Sequence, residues 1–277
     1  MGNGGRAKSN FPRRRMLMWI RALAGVLVAA AVQVGNAPLA SASAPALCDQ
    51  IGGQWNGQYC HASVTSDRRA VREINIAIPA EVDDPVMGAA LTEYLATLMN
   101  NWRKFGQGMA QHSWGDANFQ IFQHGNIRTV VFHETYNSES TGRLEGPAIN
   151  DAYRTFSFNQ ATGQRVQLAD VVDVAAIPTL GAPFIQAALD QALPPHQPNT
   201  YPFIPERWTP DKVFSGGYKA WALTPDELIL YLPDYPVARD TPIDFTPGAY
   251  QWSMNGGTVQ PRIPLSALAP ALRPGLG

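Results

Sequence analysis

The chain has 277 residues, a formal net charge of −1, 45% hydrophobic and only 16% charged residues. That composition supplies an ordinary globular core, and excludes both a disordered chain and a collagen-like or disulfide-dense scaffold. Its basic residues crowd the start, so the rest is mildly acidic, which argues against a nucleic-acid partner.

The first 43 residues read as an export signal. Arg13-Arg14-Arg15 and Arg21 form a basic region, Ala22 to Val34 an apolar core interrupted by Gln33, and Ala40-Ser41-Ala42-Ser43-Ala44 a run of small residues suited to cleavage. The apolar run falls short of the roughly 20 residues that span a bilayer. An uncleaved anchor is the alternative; the arginine pairs raise a twin-arginine route, but no full twin-arginine signature follows them, so the general export route is preferred. The expected division is therefore a signal over 1–43, a disulfide-closed segment over 44–66, and one α+β domain over 67–277. The protein is expected outside the cell or in the cell envelope.

Cys48 and Cys60 are the only two cysteines. In an exported chain, two cysteines this close read as a disulfide. Metal binding is the competing use, but with only His61 beside them they do not make a four-ligand site. The enclosed Asp49 to Tyr59 is rich in glycine and reads as a small knob or hairpin.

Val71 to Ile78 alternates Ile74, Ile76 and Ile78 as a half-buried strand ended by Pro79. Asp84-Pro85 reads as the start of a long helix, with Asp84 as N-cap and Pro85 in the first turn. Met87, Leu91, Tyr94, Leu95, Leu98 and Trp102 fall on one stripe, and Gly106 is expected to end the helix. Asn118–Gln123 and Ile127–Tyr136 form a hairpin about His124-Gly-Asn126. Tyr153–Phe158 is a further strand, turned at Asn159–Gly163.

Pro183 to Leu193 reads as a second helix. A proline-rich stretch carrying Tyr201, Phe203 and Trp208 then leads to Lys219–Pro236. Thr224-Pro225-Asp226-Glu227 has turn chemistry, and Leu228 to Leu232 is a run fit for a strand buried on both faces. Val259–Ile263 reads as a last strand and Pro264–Leu272 as a short terminal helix. The class is α+β, a mixed or mostly antiparallel sheet packed by one long and one or two shorter helices, with a disulfide knob at the mature N-terminus.

Three pieces then carry a family resemblance: Tyr153-Arg-Thr-Phe-Ser-Phe-Asn-Gln-Ala-Thr-Gly-Gln with Leu168-Ala-Asp-Val-Val172, Trp221 to Leu232, and Val259 to Leu268. Their order resembles the domain shared by RsiV-type anti-sigma factors and the secreted immunogenic antigens of mycobacteria. Those antigens share the early Cys-to-Cys segment and an Ile-x-Ile-x-Ile-Pro strand, here Ile74–Pro79. The resemblance implies an α+β fold, export, and a role in binding or at the cell surface, and it does not imply a catalytic apparatus. The chain departs from the family at Thr141–Pro147 and in the longer loop between Asp240 and Thr258.

Trp55-Asn-Gly-Gln-Tyr59 is similar to the aromatic-x-Gly-Gln-aromatic element of small mannan-binding lectins. The chemistry suits a sugar, since aromatic faces meet the C–H surface of the ring and amides bond its hydroxyls. Gln54, Trp55, Asn56, Gln58 and Tyr59 are the candidate glycan contacts. The competing use of Trp55 and Tyr59 is to pack the knob onto the sheet.

Signals for catalysis are absent. No Gly-x-Ser-x-Gly elbow occurs. His112-Ser113-Trp-Gly-Asp116 lists triad residue types without triad geometry, and His133-Glu134 lacks a second histidine at helical spacing. Asp83-Asp84, Asp226-Glu227 and Asp234 would serve glycoside hydrolysis only across a cleft. His61, His124 and His196 read as surface residues. No cofactor and no metal are expected. The preferred reading is an exported non-catalytic binding protein for a mannan-type glycan. A secreted hydrolase using His112, His124 or His133, and a surface antigen binding a host or envelope protein through Pro194–Pro210, remain alternatives.

Overall fold

A computed structural model describes residues 43–139, 148–192, 208–233, 245–249, 251–252 and 258–275. The expected signal, His196, Asp234, Tyr201, Phe203 and the segment 141–147 lie outside the described residues.

The described elements run in chain order as α1 (Ser43–Gln50), β1 (Gln54–Trp55), β2 (Cys60–Thr65), β3 (Val71–Ile76), α2 (Gly88–Gln107), β4 (Ser113–His124), β5 (Ile127–Ser138), β6 (Ala148–Asn159), β7 (Gln164–Arg165), α3 (Ile177–Leu180), α4 (Ala182–Ala192), β8 (Trp221–Leu223), β9 (Glu227–Leu230), β10 (Leu232–Pro233), β11 (Gln251–Trp252), β12 (Thr258–Val259), β13 (Arg262–Pro264) and α5 (Leu265–Leu268). The main sheet has the order β1-β2-β3-β4-β5-β6-β11, with β7 also paired to β6. All its pairs are antiparallel except β3 with β4, whose connection is the long helix α2. A second sheet has the order β13-β9-β8, and β10 pairs with β12. The α+β class is as expected.

Residues i and i+2 of a strand share a face, which sorts the molecule into layers. One face of the main sheet carries Ile74, Ile76, Ala117, Val130, Phe132 and Phe158 against the α2 stripe. Leu91, Leu95 and Leu98 are wholly buried there, at about 1.5–3 kcal/mol each. Part of the opposite face meets β8 and β9 through Val131, Ala222, Ile229 and Tyr231. The far side of that small sheet, with Trp221, Leu223, Leu228 and Leu230, closes a second core with Ile185 and Leu189 of α4 and Leu268 of α5. Leu228–Leu232 is apolar throughout because it is sandwiched between two cores.

Several boundaries differ from the sequence reading. Helix α2 starts at Gly88, because Asp84 Oδ1 accepts from the backbone of Val86 (2.8 Å) and Met87 (3.1 Å) and caps a preceding turn. Gly106 does not end the helix, and Gly108 does. Gly106 is buried where an added Cβ would sit 3.1 Å from Arg72, so it permits close packing. The last strand is split at Gln260-Pro261, since proline has no N–H to extend a ladder. Trp208 is wholly buried, its backbone oxygen accepting from the Tyr218 hydroxyl at 2.7 Å, so it offers nothing to an exposed aromatic loop.

Candidate functional site

The disulfide Cys48–Cys60 ties α1 to β2, with the Cα atoms 5.2 Å apart. Gly53 lies against it, where a Cβ would fall 2.3 Å from Cys60 Sγ, so only glycine fits. Trp55 and Cys60 pair, and residues 56–59 turn the chain back. Asn56 makes that turn: its backbone N–H donates to Tyr59 O at 3.1 Å, and its Oδ1 accepts from the N–H groups of Gln58 (3.0 Å) and Tyr59 (2.8 Å). Gly57 has φ 99°, a left-handed conformation open to glycine. Beyond the expected hairpin, α1 is a helix that the glycine-rich spacing did not announce.

The alternation of strands sends the candidate side chains two ways. Trp55 follows Cys60 onto the core face and packs, half-buried, against the α2 core. Gln54 is exposed and follows His61 onto the opposite face. Gln58 is exposed, and its Nε2 donates to the Tyr59 hydroxyl at 3.2 Å. That hydroxyl donates to Asn118 Oδ1, also at 3.2 Å, so half-exposed Tyr59 leans over the same face as Gln54.

That face carries a polar row across the sheet. The register aligns Gln54, His61, Asn75, Asp116, Thr135 and Asp151 on consecutive strands. Asn75 Nδ2 donates to Asp116 Oδ1 at 2.9 Å, which turns the amide oxygen to His61 Nδ1 at 3.0 Å and puts the imidazole hydrogen on that nitrogen. His61 Nε2 lies 3.4 Å from Glu73. At the far end, His133 Nε2 meets Asp151 Oδ1 at 2.5 Å, and Thr135 donates to the same oxygen at 3.1 Å. The His133 ring stacks on Tyr153, and Tyr153 on Tyr231, each at 4.5 Å between centroids. Asn118 and Trp114 of this face are exposed. Amides, imidazoles and carboxylates beside aromatic rings suit a ligand rich in hydroxyls.

The other face holds a buried ionic cluster that the sequence reading missed. Glu134 Oε1 accepts from the Tyr94 hydroxyl (2.9 Å) and lies 3.3 Å from Arg154 Nε, while Oε2 accepts from Gly248 N–H (2.9 Å). Arg154 Nη2 donates to the carbonyls of Thr246 and Ala249, both at 3.0 Å. Burial raises the Glu134 pKa, with Arg154 opposing, and burial with the Glu134 charge pushes the Tyr94 hydroxyl far up. The cluster clamps residues 246–249 onto α2 and β5 and is buried. A signal existed in the sequence, since Val130, Phe132, Glu134 and Tyr136 share one alternating face.

The residues weighed for catalysis are dispersed. His112 Nδ1 accepts from Val71 N–H at 3.0 Å, Ser113 Oγ is buried against Met109 Sδ, and Asp116 is held by Asn75. His124 bonds Thr224 O at 3.0 Å, and Glu227 pairs with Arg262 at 2.9 Å. His133 does adjoin Asp151, and the Thr135 hydroxyl lies 3.1 Å from Asp151 Oδ1 and 3.4 Å from His133 Nε2. Among the described residues no group of three or more His, Cys, Asp or Glu side chains is placed to hold a metal.

Two family models match parts of the chain. One, described as mannan-binding protein (MVL), matches residues 37–74, and the other, described as a protein of unknown function (DUF3298), matches residues 169–266. Among solved structures, a DUF3298 family protein from Pseudomonas aeruginosa PAO1 is similar at 13% identity and a TM-score of 0.39, over 79% of this chain and 94% of that one. A member of the same family from Bacteroides fragilis is similar at 12% identity and a TM-score of 0.38, over 78% and 91%. No curated protein matches.

Proposed function

We propose that this chain is an exported, non-catalytic protein that binds a mannan-type glycan through the loop 54–59 and the polar row beside it. The observation that carries the reading is the match of the mannan-binding family model to residues 37–74, the segment that holds all five candidate contacts. In this reading Gln54, Gln58 and Tyr59 touch the sugar, Asn56 holds the turn and offers its remaining Nδ2, and Trp55 presents its exposed edge. His61, Asn75 and Asn118 extend the contact along the sheet. Export is supported by the disulfide, and among the described residues no helix is long and apolar enough to cross a membrane. The division into a signal, a Cys-closed segment and an α+β domain belongs to the same proposal, as does kinship with the RsiV-type proteins and mycobacterial antigens.

A glycan array probed with the purified protein tests it. Selective retention of mannose-containing glycans is expected. Uniform silence across the array would leave the loop a structural element and favour a protein partner.

A further inference from the structure

Between β6 and the turn leading into β8 lies a cavity of about 610 Å³, within the range of small-molecule sites. Its wall combines Tyr153, Phe156, Trp221 and Phe245 with the cationic heads of Arg165 and Lys219. Arg165 lies 5.7 Å from the Phe156 ring centre and Lys219 lies 5.3 Å from that of Phe245, so aromatic faces hold both cations at the wall. Among the described residues neither pairs with a carboxylate, and no Asp or Glu lines the cavity. Arg154 also lines it, but its charge is matched by Glu134 and its two Nη groups donate to backbone carbonyls. Among the described residues the lining therefore carries two cations with no carboxylate beside them.

The backbone at one wall is strained in a way that serves this arrangement. Gly216, Gly217 and Tyr218 have φ of 60°, 63° and 54°, three left-handed residues in succession, immediately before Lys219. Such a conformation is unfavourable for a side-chain-bearing residue, and such outliers gather at ligand sites. Here the Tyr218 hydroxyl anchors the turn to Trp208 O, and Lys219 is left at the cavity wall.

We propose that this cavity binds an acidic monosaccharide, a carboxylate or phosphate on a sugar-sized ring, with Arg165 and Lys219 taking the acid group and Tyr153, Phe156, Trp221 or Phe245 taking the ring. The site shares no residue with the loop 54–59 and does not rest on the glycan reading of that loop.

Titration of the full-length protein, followed by tryptophan fluorescence, tests it with D-glucuronate, mannose 6-phosphate, inorganic phosphate and neutral mannose. Binding of either sugar acid about tenfold or more tighter than mannose or inorganic phosphate is expected. Arg165→Gln with Lys219→Gln should weaken it by about tenfold or more at unchanged Tm, since each charge-assisted contact carries about that much. Gln54→Ala with Tyr59→Ala should leave it intact. Sugar acids no better than mannose, inorganic phosphate binding as tightly as the sugar acids, or affinity that survives loss of both cations would each overturn the proposal.

Discussion

The side chains of Gln54 and Trp55 leave one two-residue strand in opposite directions. Gln54 lies opposite His61 on the polar face, and Trp55 lies opposite Cys60 on the core face. Neighbours in a sequence motif therefore have different physical surroundings, and their substitutions should have different consequences.

Trp55→Ala is expected to act on stability first. The ring packs half-buried on the α2 core, so its loss should cost about 1–3 kcal/mol. Tyr59→Phe removes only a hydroxyl bonded to Asn118 at an exposed position and should shift stability by less than about 1 kcal/mol. Thermal unfolding of the two variants should separate them. Equal Tm losses would contradict the assignment of faces.

The disulfide closes a short loop, Cys48 and Cys60 being 12 positions apart. Reduction, or Cys48→Ser with Cys60→Ser, should destabilise by about 3 kcal/mol. Gly53→Ala should act through the same bond, because its Cβ would meet Cys60 Sγ at 2.3 Å. We expect a loss of about 1–3 kcal/mol from the forced displacement. Urea unfolding of Gly53→Ala before and after reduction checks this. A penalty that is the same in both states would show that the clash with the bridge is not its source.

Glu134 gives a pH dependence of defined sign. Burial raises its pKa in the folded state, so the folded protein binds more protons than the unfolded chain above the ordinary glutamate value of about 4.3. Stability due to that proton is present below this value and is lost as pH rises through the raised pKa. Glu134→Gln removes the titration. The Tm of the wild type relative to this variant should therefore be highest at acidic pH and fall towards neutrality. A constant difference across that range would contradict the raised pKa. Glu134→Ala leaves buried Arg154 without its carboxylate and should cost about 3–5 kcal/mol.

Much of the fold was legible because local pattern and tertiary packing agree. The α2 stripe from Met87 to Trp102 is buried as its spacing requires, and Leu228–Leu232 is apolar because both sides meet a core. The helix start was misplaced because Asp84 caps a turn in one geometry and a helix in another, a choice set by how the chain enters α2. Gly106 misled for a similar reason, since close approach of Arg72 and chain termination select the same residue type. The polar row was not legible. Gln54, His61, Asn75, Asp116, Thr135 and Asp151 come from six strands, and only the register brings them into line. The cavity of Arg165 and Lys219 is hidden likewise, because β7 and the turn before β8 meet only in the fold.

The most direct test of the glycan reading is calorimetric titration of a mannan oligosaccharide into the wild type and into a Gln54→Ala, Gln58→Ala, Tyr59→Ala variant of matched Tm. The account predicts saturable binding to the wild type, weakened by about tenfold or more in the variant through loss of its exposed amides and ring. Equal affinity in both proteins, or none in the wild type, would contradict it.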